Sequence, residues 1–123
     1  MKRISSREYP LASSSVDGLA VLEDVPNTSS ISASLTDYGV LKSIREVPLA
    51  DLISDPRSYF YAANDFRRSK ELAEQIKHSK QISPIIVVID KEGPYVLEGA
   101  HRVVALHYLK IKSIPALVVL DKD

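Results

Sequence analysis

Apolar side chains recur along this chain in distinct rhythms, and each rhythm predicts an element. Ile82-Ser-Pro-Ile-Ile-Val-Val-Ile89 holds Pro84 and then an unbroken β-branched run, which suits a strand buried on both faces. Asp90-Lys-Glu-Gly93 reads as a turn, and Pro94 to Leu97 returns as the hairpin partner. Ile44-Arg-Glu-Val47 alternates apolar and polar, the pattern of a strand. Ile114-Pro-Ala-Leu-Val-Val-Leu120 supplies a last strand, and Pro115 places its start at an edge.

Helical spacing fills the intervals. Pro48-Leu-Ala-Asp-Leu-Ile53 reads as a short helical turn with proline at its first position, broken by Asp55-Pro56. Leu72, Ala73 and Ile76 share one face of a helix that Ser69 caps and Glu71 favours from the first turn. Arg57-Ser-Tyr-Phe-Tyr61 and Asn64-Asp65 lie between these two, as a loop or helix start. A further helix runs from Ala100 to about Lys110, with Ala105, Leu106 and Leu109 on one stripe and Arg102 at its head. The order predicts a mixed α/β (α+β) fold: a small mixed β-sheet with packed helices.

Residues 1–40 follow no such rhythm. Ser13-Ser-Ser15, Ser29-Ser30, Pro10, Gly18 and Pro26 punctuate them, and Leu19-Ala-Val-Leu22 alone suggests a short strand. The chain divides, on this reading, into a Ser-rich, weakly structured extension over 1–40 that wraps the domain and a compact domain over 41–123. The extension is also the segment assigned to any protein partner.

Composition narrows the chemistry. Sixteen basic and sixteen acidic side chains cancel, which is not the balance of a protein that coats DNA by charge alone. With no cysteine, thiol catalysis, disulfides and cysteine–zinc sites are all excluded. The basic N-terminus lacks the apolar run of a signal peptide, and no stretch has the length of a membrane span. A soluble cytoplasmic protein with no membrane partner is the expectation.

The stretch with most chemical content is Tyr95-Val-Leu-Glu-Gly-Ala-His-Arg102. A strand, a glycine and a helix start in that order make a backbone anion site. The first helical turn leaves N–H groups without intrahelical partners, and the macrodipole adds partial positive charge. Gly99 allows close approach to the backbone, and His101 and Arg102 add side-chain donors around Ala100. Two alternatives stay open for Arg102: it holds a phosphate-like anion, or it pairs with Glu98 and fixes the turn. Glu98 likewise serves as a magnesium ligand or a catalytic base, or else as that internal partner.

With these residues in view, the chain resembles the ParB/sulfiredoxin superfamily over roughly Ile44 to Val119. The resemblance rests on Val47-Pro-Leu-Ala-Asp-Leu-Ile53, Leu72-Ala-Glu-Gln-Ile-Lys77, Ile82-Ser-Pro-Ile-Ile-Val-Val88, Tyr95 to Arg102 and Ile114-Pro-Ala116. It implies that the glycine-led arginine motif contacts nucleotide phosphates. Sulfiredoxins place a reactive cysteine where this chain has Ala100, so sulfinic acid reduction is excluded. Partition-type members read Gly-Glu-Arg-Arg, bind CTP and continue into a helix-turn-helix. Because the chain ends at Asp123, operator-specific DNA binding is not expected of it. Free serine kinases carry Asp-Gly-His-His-Arg, close to Glu98-Gly-Ala-His-Arg102, but their catalytic glutamate has no counterpart in Asp55-Pro-Arg-Ser58.

The resulting expectation is a nucleotide-binding, phosphate-binding ParB-like domain using Gly99, Ala100, His101, Arg102 and Arg57, with ATP or CTP as the ligand types. The alternative is a magnesium-dependent phosphotransferase or hydrolase acting on a nucleoside triphosphate, with Glu98 as base or magnesium ligand. A nuclease ranks last, for want of a dense acidic cluster. Asp51, Asp55, Asp65 and Glu71 are the candidates for a second acid or base. Arg67, Arg68 and Lys70 form a basic cluster that either contacts further phosphates or is a solvated face. Tyr59, Phe60 and Tyr61 offer rings for a base or for the core. His78, His101 and His107 do not share metal spacing, so no zinc site is assigned.

Overall fold

The computed structural model describes residues 9–26, 38–53 and 66–121. Strands β1 (Ser15–Val16) and β2 (Leu19–Val21) precede the long β3 (Tyr38–Pro48) and the single-turn helix α1 (Leu49–Ile53). Helix α2 (Phe66–Ser79), strands β4 (Gln81–Ile82), β5 (Ile85–Asp90) and β6 (Gly93–Glu98), helix α3 (Ala100–Tyr108) and strand β7 (Ser113–Asp121) complete the order. The expected mixed α/β architecture is what the chain adopts.

The main sheet has the order β3-β7-β5-β6, in which β5 and β7 are parallel and the other pairs antiparallel. β5 is the apolar run seen in the sequence, and Ile85 to Ile89 are all at most 1% exposed. Its alternate side chains divide between two clusters. Ile85, Val87 and Ile89 join Val118, Ala116 and Ile114 of β7 beneath the helices, while Ile86, Val88 and Val119 pack with Tyr95, Leu97 and Val25. Burial on both faces explains why this strand lacks alternation.

β7 is an interior strand, yet its pairing with β5 starts only at Ala116, so Pro115 faces a strand partner on the β3 side alone. That is how a residue without an N–H is accommodated. The apolar run is also shorter than read. Ser83 and Pro84 divide it, leaving Gln81–Ile82 to a second sheet of order β1-β2-β4.

Helix α2 corrects a second expectation. It starts at Phe66 rather than Ser69, so Ser69 stands inside the helix at 1% exposure, with its Oγ lacking a hydrogen-bond partner, and Glu71 falls beyond the first turn. Pro48 likewise ends β3 instead of opening α1.

Residues 9–26 lie against the rest. Asp17 and Gly18, with φ of 51° and 84°, make the two-residue turn between β1 and β2, and β2 runs parallel to β4. One Asp17 carboxylate oxygen accepts from the N–H groups of Lys112 and Ser113 at 2.8 and 3.1 Å. Tyr9 is 8% exposed and donates its hydroxyl to Asp51 at 2.9 Å. Pro10 and Ala12 exchange backbone hydrogen bonds with Glu46 and Ile44 of β3. No helix of the described residues is long and apolar enough to cross a membrane.

Candidate functional site

The site is built where β6 passes directly into α3. β6 is an outer strand, and its register with β5 shifts so that Val96 opposes Val87 while Glu98 opposes Ile86. Leu97 is the extra residue of this bulge. Bulges bend a strand and re-aim its side chains. Here the bend delivers Leu97 and Glu98 to the wall of a cleft of about 380 Å³.

Gly99 makes the turn with φ 109° and ψ 23°. A Cβ here would stand 2.3 Å from Cγ2 of Ile85 and 2.9 Å from Nη2 of Arg102, so glycine is required both by its angle and by its neighbours. The Gly99 carbonyl accepts from the N–H groups of Arg102 at 3.0 Å and Val103 at 3.1 Å. No side chain caps the helix. The Arg102 N–H is therefore already used, and the N–H groups of Ala100 and His101 are those of the first turn without an intrahelical acceptor.

The same turn fixes two side chains. Arg102 donates from Nη2 to the Pro84 carbonyl at 3.3 Å, while its Nε is buried without a hydrogen-bond partner. His101 has its Nε2 buried in the same condition. Burial lowers the Arg102 pKa, and the nearby Glu98 carboxylate opposes that shift. Buried polar atoms are normally paired, so two orphans in adjacent residues at a helix start call for partners, an acceptor for Arg102 Nε and a donor or an acceptor for His101 Nε2 according to its tautomer. Val103, Ala105 and Leu106 beneath them are fully buried and anchor the helix.

The sequence-predicted residues Glu98, Gly99, Ala100, His101 and Arg102 all line this one cleft. Arg68, from the basic cluster, lines it as well, whereas Arg67 and Lys70 are exposed on α2 and do not. Leu72 and Leu97 form an apolar wall that the sequence did not flag as part of a site. Their only signal was the helical and strand periodicity that marks any core residue.

Arg57, Asp55, Tyr59, Phe60, Tyr61 and Asp65 lie outside the described residues. Asp51 is placed elsewhere, as the acceptor of Tyr9, and Glu71 is exposed on α2 outside the cleft. His78 stands at the end of α2, 3.8 Å from Glu74 at the surface. Among the described residues no three His, Cys, Asp or Glu side chains gather as a metal cluster.

A strand–glycine–helix turn with a buried arginine at the helix start, set on a mixed sheet, places the chain among small α/β domains with a cleft at a strand–helix junction. Within that class the chain belongs to the ParB N-terminal domain family, whose family model matches residues 33–123. Among solved structures it is similar to the crystal structure of sulfiredoxin from Arabidopsis thaliana, with a TM-score of 0.49 and 28% sequence identity, over 63% of this chain and 84% of that one. No curated protein matches it.

Proposed function

We propose that this chain binds the phosphates of a nucleotide at the start of α3. The observation that carries the reading is the pair of buried, unpartnered nitrogens, Nε of Arg102 and Nε2 of His101, beside the first-turn N–H groups of Ala100 and His101. A phosphate offers several acceptor oxygens and negative charge, which suit the Arg102 guanidinium, His101 in the tautomer that carries its proton on Nε2, and the helix end together. Membership of the ParB N-terminal domain family, with its implied nucleotide chemistry, agrees with this assignment. Arg68 at the rim adds a second cationic side chain to the cleft.

Magnesium fits only as part of such a complex. Glu98 is the one carboxylate among the described lining residues, too few for a metal cage of protein ligands. Magnesium beside nucleotide phosphates is commonly held by one or two carboxylates with the phosphate oxygens, which Glu98 matches. When bound it would neutralise phosphate charge and polarise the terminal phosphorus. The position of Glu98 on the cleft wall is also what favours the second reading, a phosphotransferase or hydrolase.

Calorimetric titration of ATP, CTP, GTP and ADP with magnesium tests the binding. Arg102→Ala is expected to weaken affinity by about 1.5–3 kcal/mol, the scale of a charge-assisted hydrogen bond. Unchanged affinity in a folded variant would reduce Arg102 to a support for the Pro84 carbonyl.

A further inference from the structure

We propose that the corner of the molecule around the β1–β2 turn binds the backbone of single-stranded nucleic acid, independently of the cleft at the start of α3. Two lysines mark it. Lys80, directly after α2, has φ 57°, and Lys110, directly after the α3 cap Leu109, has φ 64°. Each closes its helix in the place usually given to glycine. The Lys80 N–H donates to the Ile76 carbonyl at 2.8 Å, and the Lys110 N–H donates to the His107 carbonyl at 3.0 Å. The left-handed region is costly for any residue with a Cβ, so lysine at both positions points to a use for the side chain. A helix end does favour cations, but Lys77 and His78 in the last turn of α2, and His107 in that of α3, already supply basic side chains there.

The topology brings both lysines to one end of the small sheet. β2 runs parallel to β4 with Ala20 opposite Gln81, and the Ala20 N–H donates to the Lys80 carbonyl at 2.8 Å. Three residues earlier, the Asp17 carboxylate accepts from the N–H groups of Lys112 and Ser113. Lys80 and Lys112 therefore flank the same stretch, residues 17–20, and Lys110 is two positions from Lys112. All three lysines are exposed, as are Asp17 and Gly18 between them. A Cβ on Gly18 would meet nothing within 4 Å, so the backbone between the lysines lies open. Asp17 is the acid in their midst, and three cations against it leave a local positive excess in a chain of zero net charge. None of the three is among the described residues lining the cleft at the start of α3.

A local excess of this kind suits a row of phosphates. Tyr108, 53% exposed at the end of α3, adds an aromatic ring two positions from Lys110. Rings beside cations are what unpaired bases stack on, a feature that neither a lipid surface nor an acidic peptide requires. Because the excess is small, binding is weak, steeply dependent on salt and indifferent to sequence.

Fluorescence anisotropy of a labelled oligothymidylate of about 16 nucleotides, titrated with the full chain at about 30 to 200 mM salt, tests the proposal. The logarithm of affinity should fall against that of salt with a slope of about −2, as for three phosphates at about 0.7 each. Lys80→Gly and Lys110→Gly should each lower affinity about fivefold at the lowest salt and flatten the slope by about 0.7. Both should also melt at an equal or higher temperature, because glycine fits these angles. Tyr108→Ala should lower affinity about fivefold at unchanged slope. Nucleotide affinity should be unaltered in both glycine variants, which keeps this test apart from the reading of the cleft. A wild type that fails to bind at the lowest salt overturns the proposal, as does binding that the glycine variants leave unchanged. Lower melting temperatures in both variants would make the lysines structural and overturn it as well. Vesicles containing about a quarter phosphatidylserine serve as the rival probe. Binding to them without binding to the oligonucleotide would assign the corner to a lipid surface instead.

Discussion

At the scale of single residues, Gly99 and Glu98 divide structure from chemistry. Gly99 holds a positive φ and sits against Ile85, so Gly99→Ala meets both strain and overlap. It should cost at least about 2 kcal/mol, read as a lower urea midpoint at unchanged slope. An unchanged midpoint would mean that the strand end yields easily. Glu98→Gln keeps the shape and removes the charge. If Glu98 acts as a base, phosphate release or transfer should fall by about 10²–10⁴ with the fold retained. If it only counters the charge of Arg102, the loss should appear in stability or in nucleotide affinity, with turnover unaffected or never present. Residues 98–102 were legible in the sequence because their signal is local: a strand end, a glycine and a helix start, all within five positions. Leu72 and Leu97 were not, since nothing about a leucine says which cavity it will line.

At the scale of elements, the errors share one cause. Ser69 has the chemistry of a helix cap, but burial at 1% inside α2 shows a small residue chosen for packing. Local chemistry cannot separate these roles, because both follow from a short side chain. The β5 run was read as one strand with Ile82, although Pro84 interrupts it and sends Ile82 to another sheet. β1 and β2 are two and three residues long, too short for periodicity to report. A signal did exist there. Asp17-Gly18 is a strong two-residue hairpin pair, and Val16 and Leu19 flank it in register. Their pairing with β4, distant in sequence, is a tertiary fact that no window of neighbouring residues contains.

At the scale of the molecule, the question is whether residues 9–26 belong to the cooperative unit. Tyr9 and Leu19 contribute to the same cluster as Val47, Ile82 and Ile114. Asp17 ties the hairpin to the entry of β7, and Tyr9 ties the first described residues to α1. A segment joined at both ends to separate parts of the core should unfold with it. Leu19→Ala, far from the cleft residues at 98–102 in sequence and 7% exposed, should therefore cost about 2–4 kcal/mol of global stability. It should lower the midpoint of a single transition, seen alike by far-UV circular dichroism and by tyrosine fluorescence. If the segment were an independent wrapping, the substitution would leave the main transition in place and loosen only the N-terminal residues. Native-state hydrogen exchange would then show early opening at Ala20 and Leu22, whose N–H groups bond to Lys80 and Ile82. The first outcome makes the N-terminal segment part of the cooperative fold, and the second makes it a removable cover.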